Sequence, residues 1–181
     1  MPFTDTVKAL LAAGAVIVFL LWSKSANASQ GGTMYSKQRL TARQVEVADL
    51  IVNACQAAGV KPEFMLALAV TESSLNPAAS GDDGKSFGLF QETLATAHMF
   101  EPTLNTLDLF DAAINARIGC AYFLFMVQHY PGHSYGDYAE AWTLGLHGRF
   151  DLGRRNTVKL ANMHRAIADL DLDLSLEEVP S

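Results

Sequence analysis

The sequence predicts an all-α protein, a single compact helical domain behind an N-terminal hydrophobic segment. Three observations lead there. Between positions 41 and 170 the apolar residues recur at helical spacing and are punctuated by capping residues, glycines and prolines. Within that span no run alternates convincingly with the period of a strand. Once the first 28 or so residues are set aside, about 150 remain, enough for one core and too few for a comfortable second domain.

The elements follow in order. In residues 1–28, Ala9 to Trp22 is an unbroken apolar run of 14 residues flanked by Lys8 and Lys24. It reads as a signal peptide with a cleavage site at Ala26-Asn27-Ala28. It reads equally as a short membrane anchor. About 21 Å of helix would face a hydrocarbon core of about 30 Å, a gap that snorkelling lysines and bilayer thinning would close. Lys24, Lys37, Arg39 and Arg43 favour a cytoplasmic C-terminal side, against export. A third reading is a chain packaged in a virus particle. Residues 29–40, SQGGTMYSKQRL, form a polar linker.

The domain spans 41–170. Thr41 and Gln44 make a capping box for a first helix carrying Val45, Ala48, Ile51, Val52 and Cys55, which Gly59 ends. Pro62 opens a second helix with Glu63 in its first turn. That helix is apolar nearly all round from Phe64 to Val70, so it belongs inside, and Asn76-Pro77 stops it. Residues 76–90 form a glycine loop with room for a short hairpin. A helix follows near Gln91–His98, and Asn105 to Leu109 is irregular. Asp111 to His129 is a long apolar helix ended by Pro131-Gly132, Tyr138 to Leu144 is helical, Gly145 to Gly148 is a turn, and Gly153 to Leu170 is the last helix. In the tail, 171–181, Asp171 to Leu176 alternates polar and apolar residues; the tail reads as a disordered acidic one rather than as a strand for a partner's sheet.

The net charge of −6 is concentrated at the C-terminus, where Asp169, Asp171, Asp173, Glu177 and Glu178 have no basic neighbour. The domain itself is near neutral and carries no nucleic-acid footprint. Cys55 and Cys120 fall among apolar neighbours and read as buried free thiols, or as a disulfide if the domain is exported. His129 and His133 are separated by Pro131-Gly132 and share no helical face, so no metal site and no cofactor is expected.

One carboxylate carries the chemistry. Met65, Leu68, Ala69 and Glu72 fall at i, i+3, i+4 and i+7, which places Glu72 on the apolar stripe of its helix. Desolvation there, together with the negative end of the helix dipole, raises the pKa of a carboxyl group. Both favour the protonated form that a general acid needs. The competing reading is a surface glutamate bonded to Ser73 or Ser74.

The stretch ALAVTESSLNPAASGDDGKSFGLFQ, Ala67 to Gln91, resembles the core of the soluble lytic transglycosylase (SLT) domain of the lysozyme-like superfamily. The matching points are Glu72-Ser73, Asn76-Pro77, Ser80 and Gly88-Leu89-Phe90-Gln91, with Phe90 where the family has Met. Asn115 through Gly119 to Tyr122 resembles the family's next helix. Ala141-Trp142-Thr143-Leu144-Gly145 stands where the family has Ala-Tyr-Asn-Ala-Gly. The resemblance covers roughly residues 45–165 and implies an α+β lysozyme-like fold with little or no sheet. It implies cleavage of the β-1,4 bond between N-acetylmuramic acid and N-acetylglucosamine in peptidoglycan, with Glu72 as acid and then as base on the 6-hydroxyl. The departure at Trp142-Thr143 keeps an aromatic wall but loses an amide, which Thr143 cannot replace.

On this reading the substrate-binding residues are Ser73, Ser80, Gly88, Leu89, Phe90, Gln91, Tyr122, Trp142, Thr143 and Gly145. Ser73 and Ser80 either bind sugar or cap helix end and loop. Gly88 allows close backbone approach to the substrate. Gln91 orients sugar or loop, or caps the next helix. Tyr122 and Trp142 stack on sugar or belong to the core. Asp82 and Asp83 are rival second carboxylates or solvated turn formers. Arg149, Arg154, Arg155, Lys159 and Arg165 either attract peptide-stem carboxylates or form a solvated helix face. The function expected is a lytic transglycosylase, with peptidoglycan strands as partner. Its setting is the bacterial periplasm, anchored or exported, for a secretion or conjugation machine, or a phage virion. The alternatives are a hydrolytic muramidase of the same fold and a non-catalytic wall-binding or virion subunit.

Overall fold

A computed structural model describes residues 35–180. The apolar run 9–22, the cleavage site and the first half of the linker lie outside the described residues. Among those described, no helix is long and apolar enough to cross a membrane.

The domain is mostly helical, as its sequence predicts. Helix α1 (Ala42–Ala58) begins with the expected box: Thr41 accepts from the Gln44 N–H and the Gln44 side chain returns to the cap. Gly59, at φ 70°, closes it in the left-handed region that glycine adopts without strain. Helix α2 (Pro62–Ser73) starts at its proline and ends earlier than Asn76-Pro77 would require. Ser74 and Leu75 both take positive φ, and their N–H groups return to Val70 and Ala69. This closure folds Leu75 into the core, where it is buried.

The glycine loop does hold a hairpin, β1 (Ser80–Gly81) antiparallel to β2 (Ser86–Phe87). Asp82, Asp83 and Gly84 turn it at positive φ. Helix α3 (Leu94–Ala97) is a single turn capped by Thr93, shorter than the predicted Gln91–His98. Glu92 is diverted: its N–H and carbonyl pair with Phe87 across a bridge, so the chain is extended where a helix was expected. A 3-10 turn at Asp108–Phe110 leads into helix α4 (Ala112–His129), whose cap Asp111 accepts from the N–H groups of Ala113 and Ile114.

Helix α5 (Tyr135–Leu144) starts three residues before the predicted Tyr138, because Ser134 and Asp137 form a second capping box. The predicted turn is a π-helical turn, His147–Asp151. Helix α6 (Thr157–Leu170) starts later than Gly153, where Asn156 accepts from the Lys159 N–H. The tail packs on the domain. Gly136 N–H donates to the Leu176 carbonyl at 2.7 Å and Tyr135 N–H to that of Glu178 at 2.9 Å. Leu172 and Leu176 are buried, and Lys61 pairs with Glu178 at 2.8 Å. Its alternate leucines give it an apolar side, and that side covers the start of α5.

Helix α2 is the centre of the core: Phe64 through Ala69 are fully buried. It packs against α1 and α6, while α1 packs on α4 and α5 on α6. Phe64 meets Phe123 of α4 and Tyr135 of α5 at ring-centroid distances of 4.7 and 5.0 Å. Cys55 and Cys120 are buried free thiols with their Sγ atoms 3.4 Å apart, joining α1 to α4. A second small cluster, Phe87, Ala97, Leu109 and Ile118, sits beneath the hairpin and α3.

Candidate active site

The buried stripe of α2 delivers Glu72 to the last turn of that helix, with its side chain 16% exposed. From its place on the apolar stripe Glu72 is expected to be a desolvated acid. The structure instead sets a cation against it. Lys159 Nζ lies 2.5 Å from Glu72 Oε1 and 2.8 Å from Thr71 Oγ1. Lys159 comes from the first turn of α6 and is 7% exposed. Burial pushes its pKa down, while the charge of Glu72 and the hydrogen bond to it pull the other way.

Ser73 ties the acid's helix to the Gly88–Gln91 segment. Its hydroxyl faces two carbonyls, Leu89 at 2.8 Å and Ala69 at 3.1 Å, so its polar contacts run within the protein. Leu89 and Phe90 are fully buried, and their side chains belong to the core. Their carbonyls accept from Ser73 and Trp142 within the protein. Gly88 has φ 75°, and a Cβ there would stand 2.3 Å from the Leu109 carbonyl oxygen and 2.4 Å from Asn115 Nδ2. The close approach that needs a glycine is therefore internal. Gln91, at φ 50°, donates from Nε2 to the Gly88 carbonyl at 3.0 Å, and its Oε1 lies against Gly81. It braces the hairpin loop.

Asn115 holds this segment in place. Fully buried on α4, it donates to the carbonyls of Phe87 at 3.1 Å and Leu109 at 3.0 Å and accepts from the Phe90 N–H at 3.0 Å. Gly119 on the same helix makes room for the Phe90 ring, which would stand 2.7 Å from a Cβ. The spacing of Asn115 and Gly119, at i and i+4 on an apolar helix, is the signal that they face one neighbour.

The third motif joins through Trp142. Its Nε1–H donates to the Phe90 carbonyl at 2.9 Å, and its ring meets Tyr122 edge-on at 5.1 Å. Both rings are half-buried, and burial pushes the Tyr122 hydroxyl up to about 12. Thr143 and Gly145 are exposed at the end of α5. A connected path therefore runs from Glu72-Ser73 through Leu89-Phe90 to Trp142 and Tyr122. Ser80 is exposed on β1, and Asp82 and Asp83 are exposed in the hairpin turn. Asp82 accepts from the Ser86 hydroxyl at 2.5 Å.

The basic cluster divides. Arg154, Arg155 and Arg165 are exposed while Arg149 is largely buried, and Arg149 and Arg155 both donate to Glu140, which is fully buried and also accepts from the Asn156 N–H at 2.6 Å. This network fixes the start of α6, and with it Lys159. The signal for Lys159 was its register. Lys159, Met163, Ala166 and Leu170 form the buried stripe of α6, at i, i+4, i+7 and i+11.

The family model for the transglycosylase SLT domain matches residues 49–145, more than half of the 181-residue chain. The chain belongs to this family. Among curated proteins, none matches it. The match to the SLT domain takes in Glu72, the Gly88–Gln91 segment, Asn115, Tyr122 and the Trp142 motif. It stops before α6, so Lys159 lies beyond it.

Proposed function

We propose that this SLT domain is a peptidoglycan lytic transglycosylase, cleaving the β-1,4 bond between N-acetylmuramic acid and N-acetylglucosamine with Glu72 as acid and base. One observation carries the reading. Glu72 ends a buried helix inside the matched stretch, and Ser73 bonds that helix end directly to the Gly88–Gln91 segment.

In the first step protonated Glu72 gives its proton to the glycosidic oxygen as the bond from C1 to that oxygen breaks. The muramyl acetamido oxygen attacks C1 from within the substrate, a route that dispenses with a second carboxylate. In the second step the Glu72 carboxylate takes the proton of the 6-hydroxyl. O6 bonds to C1, the acetamido oxygen leaves, and a 1,6-anhydro ring closes. The proton from O6 restores the acid, so the cycle closes on one carboxylate. Trp142 and Tyr122 offer ring surface to a sugar face. The proposed setting is the bacterial wall, reached by a periplasmic chain anchored or exported through residues 9–22, or delivered in a phage particle, for local wall opening.

The test is mass spectrometry of purified peptidoglycan after digestion, with Glu72→Gln as control. Anhydro-muramyl products that vanish in the variant are expected. Reducing-end products instead would move the reading to hydrolysis assisted by Asp82 or Asp83. Wall binding without products from either protein would sink the enzyme reading.

A further inference from the structure

We propose that Lys159 is a positioning residue for Glu72, turning its carboxyl group onto α6 and thereby restraining it from reaching a glycosidic oxygen. The inference rests on Glu72 being the acid.

The geometry is specific. Lys159 Nζ sits between two acceptors, Glu72 Oε1 at 2.5 Å and Thr71 Oγ1 at 2.8 Å. Thr71 donates its own proton to the Leu68 carbonyl at 2.8 Å, which leaves an oxygen lone pair for the ammonium. Both acceptors belong to the last turn of α2, so the lysine reads the end of that helix.

Lys159 has little freedom to leave. It occupies the buried stripe of α6 with Met163, Ala166 and Leu170. Its own N–H is bonded to the cap, Asn156, and the Asn156 N–H is bonded to buried Glu140, which Arg149 and Arg155 clamp. A charged lysine is tolerated at such a depth only when paired. Glu72 is the partner that makes this position tenable.

Among the described residues neither partner forms a second ion pair. On α6, His164 and Arg165 are exposed, and Asp169 pairs with Arg39. On α1, which also packs against α2, Arg43, Glu46 and Asp49 lie at exposed positions, and Asp49 bonds to Tyr35 and Lys37. Glu63, on α2 itself, stands two and a half turns away in its first turn. In the hairpin turn, Asp82 is bonded to Ser86, and Asp83 and Lys85 are exposed.

The consequence is mechanical. A general acid must come within hydrogen-bond distance of the oxygen it protonates. The Glu72 oxygen engaged by the buried ammonium must give up that contact first, and the loss of one hydrogen bond between charged groups is felt as a rate lower by about tenfold or more.

The experiment compares wild type, Lys159→Met and Lys159→Arg by the rate of anhydro-muramyl product release from purified peptidoglycan and by binding of the same peptidoglycan. Lys159→Met, which frees the carboxyl group, is expected to raise kcat about tenfold or more with KM and binding little changed. Lys159→Arg, which keeps a cation there, is expected to keep kcat near that of wild type. A folded Lys159→Met protein with kcat at or below that of wild type, or with kcat and binding moved together, overturns the proposal. Should Lys159→Met fail to fold, Lys159→Gln carries the same comparison. If wild type releases no glycan products, the assignment of Glu72 as acid fails, and this proposal fails with it; if wild type is active and Glu72→Gln is not, only the role of the lysine is at stake.

Discussion

Replacing Glu92 by Met is expected to stabilise the domain, and to do so more strongly as pH rises. Glu92 is 3% exposed, and neither oxygen of its carboxyl group has a hydrogen-bond partner among the described residues. Its backbone is held in place by the bridge to Phe87, so the side chain cannot be withdrawn without breaking that pairing. Burial pushes its pKa well above the ordinary 4.5, and the neighbouring Cys120 adds to the push. The folded protein therefore holds the proton, and the unfolded chain releases it above about pH 4.5. Stability is fully present below that pH and declines as pH rises towards the folded pKa, by about 1.4 kcal/mol per unit. Methionine is unbranched, of similar length and has no proton to lose. Leaving a buried polar group unpaired costs about 1–3 kcal/mol. Its removal should therefore raise the stability by about 2 kcal/mol and Tm by about 4–8 °C for a domain of this size. Urea melts of wild type and Glu92→Met at pH 5 and pH 8 check both parts. A variant no more stable than wild type, or a gap identical at the two pH values, would show that the carboxyl group has a partner and would refute the reasoning.

Two further substitutions test the scaffold of the site. Asn115→Leu removes three hydrogen bonds and strands the Leu109 carbonyl and the Phe90 N–H in the core, while the Phe87 carbonyl keeps the Glu92 N–H, so it should cost about 2–4 kcal/mol, read as a lower urea midpoint. Gly88→Ala and Gly84→Ala form a matched pair, at φ 75° and 80°. At Gly84 nothing lies within 4 Å of the new Cβ, so only the left-handed backbone is penalised, by about 1–2 kcal/mol. At Gly88 the collision with Leu109 and Asn115 adds to this, and the loss should be clearly larger; equal losses in thermal melts would count against the close approach.

The helical frame was legible because its signals are local. Thr41 with Gln44, Gly59, Pro62 and Asp111 act within a turn of themselves, and each element they delimit lies where spacing places it. The misses come from tertiary contacts. Glu92 leaves the predicted helix to pair with Phe87, and α6 starts late because Glu140 claims the Asn156 N–H from another helix. The tail looked disordered because its charges outweigh its leucines in composition, yet buried Leu172 and Leu176, two backbone hydrogen bonds to the start of α5 and the Lys61–Glu178 pair seat it on the domain. At the site, the spacing of apolar residues put Glu72 on a buried face, but spacing within one helix is silent about what the next helix places opposite.

That silence explains why the buried charges carry most of the new information. Three described side chains, Lys159, Glu140 and Glu92, sit where an apolar residue would be cheaper, and each meets the cost in a different way. Glu140 is surrounded by donors from the loop before α6 and serves as its anchor. Glu92 has no donor and holds its proton instead. Lys159 meets the one carboxylate to which the chemistry is assigned. The first and third are mechanically linked, since the Asn156 peptide that Glu140 holds also begins the turn that presents Lys159. Loosening Glu140 should therefore be felt at Glu72, through two helices and without any direct contact.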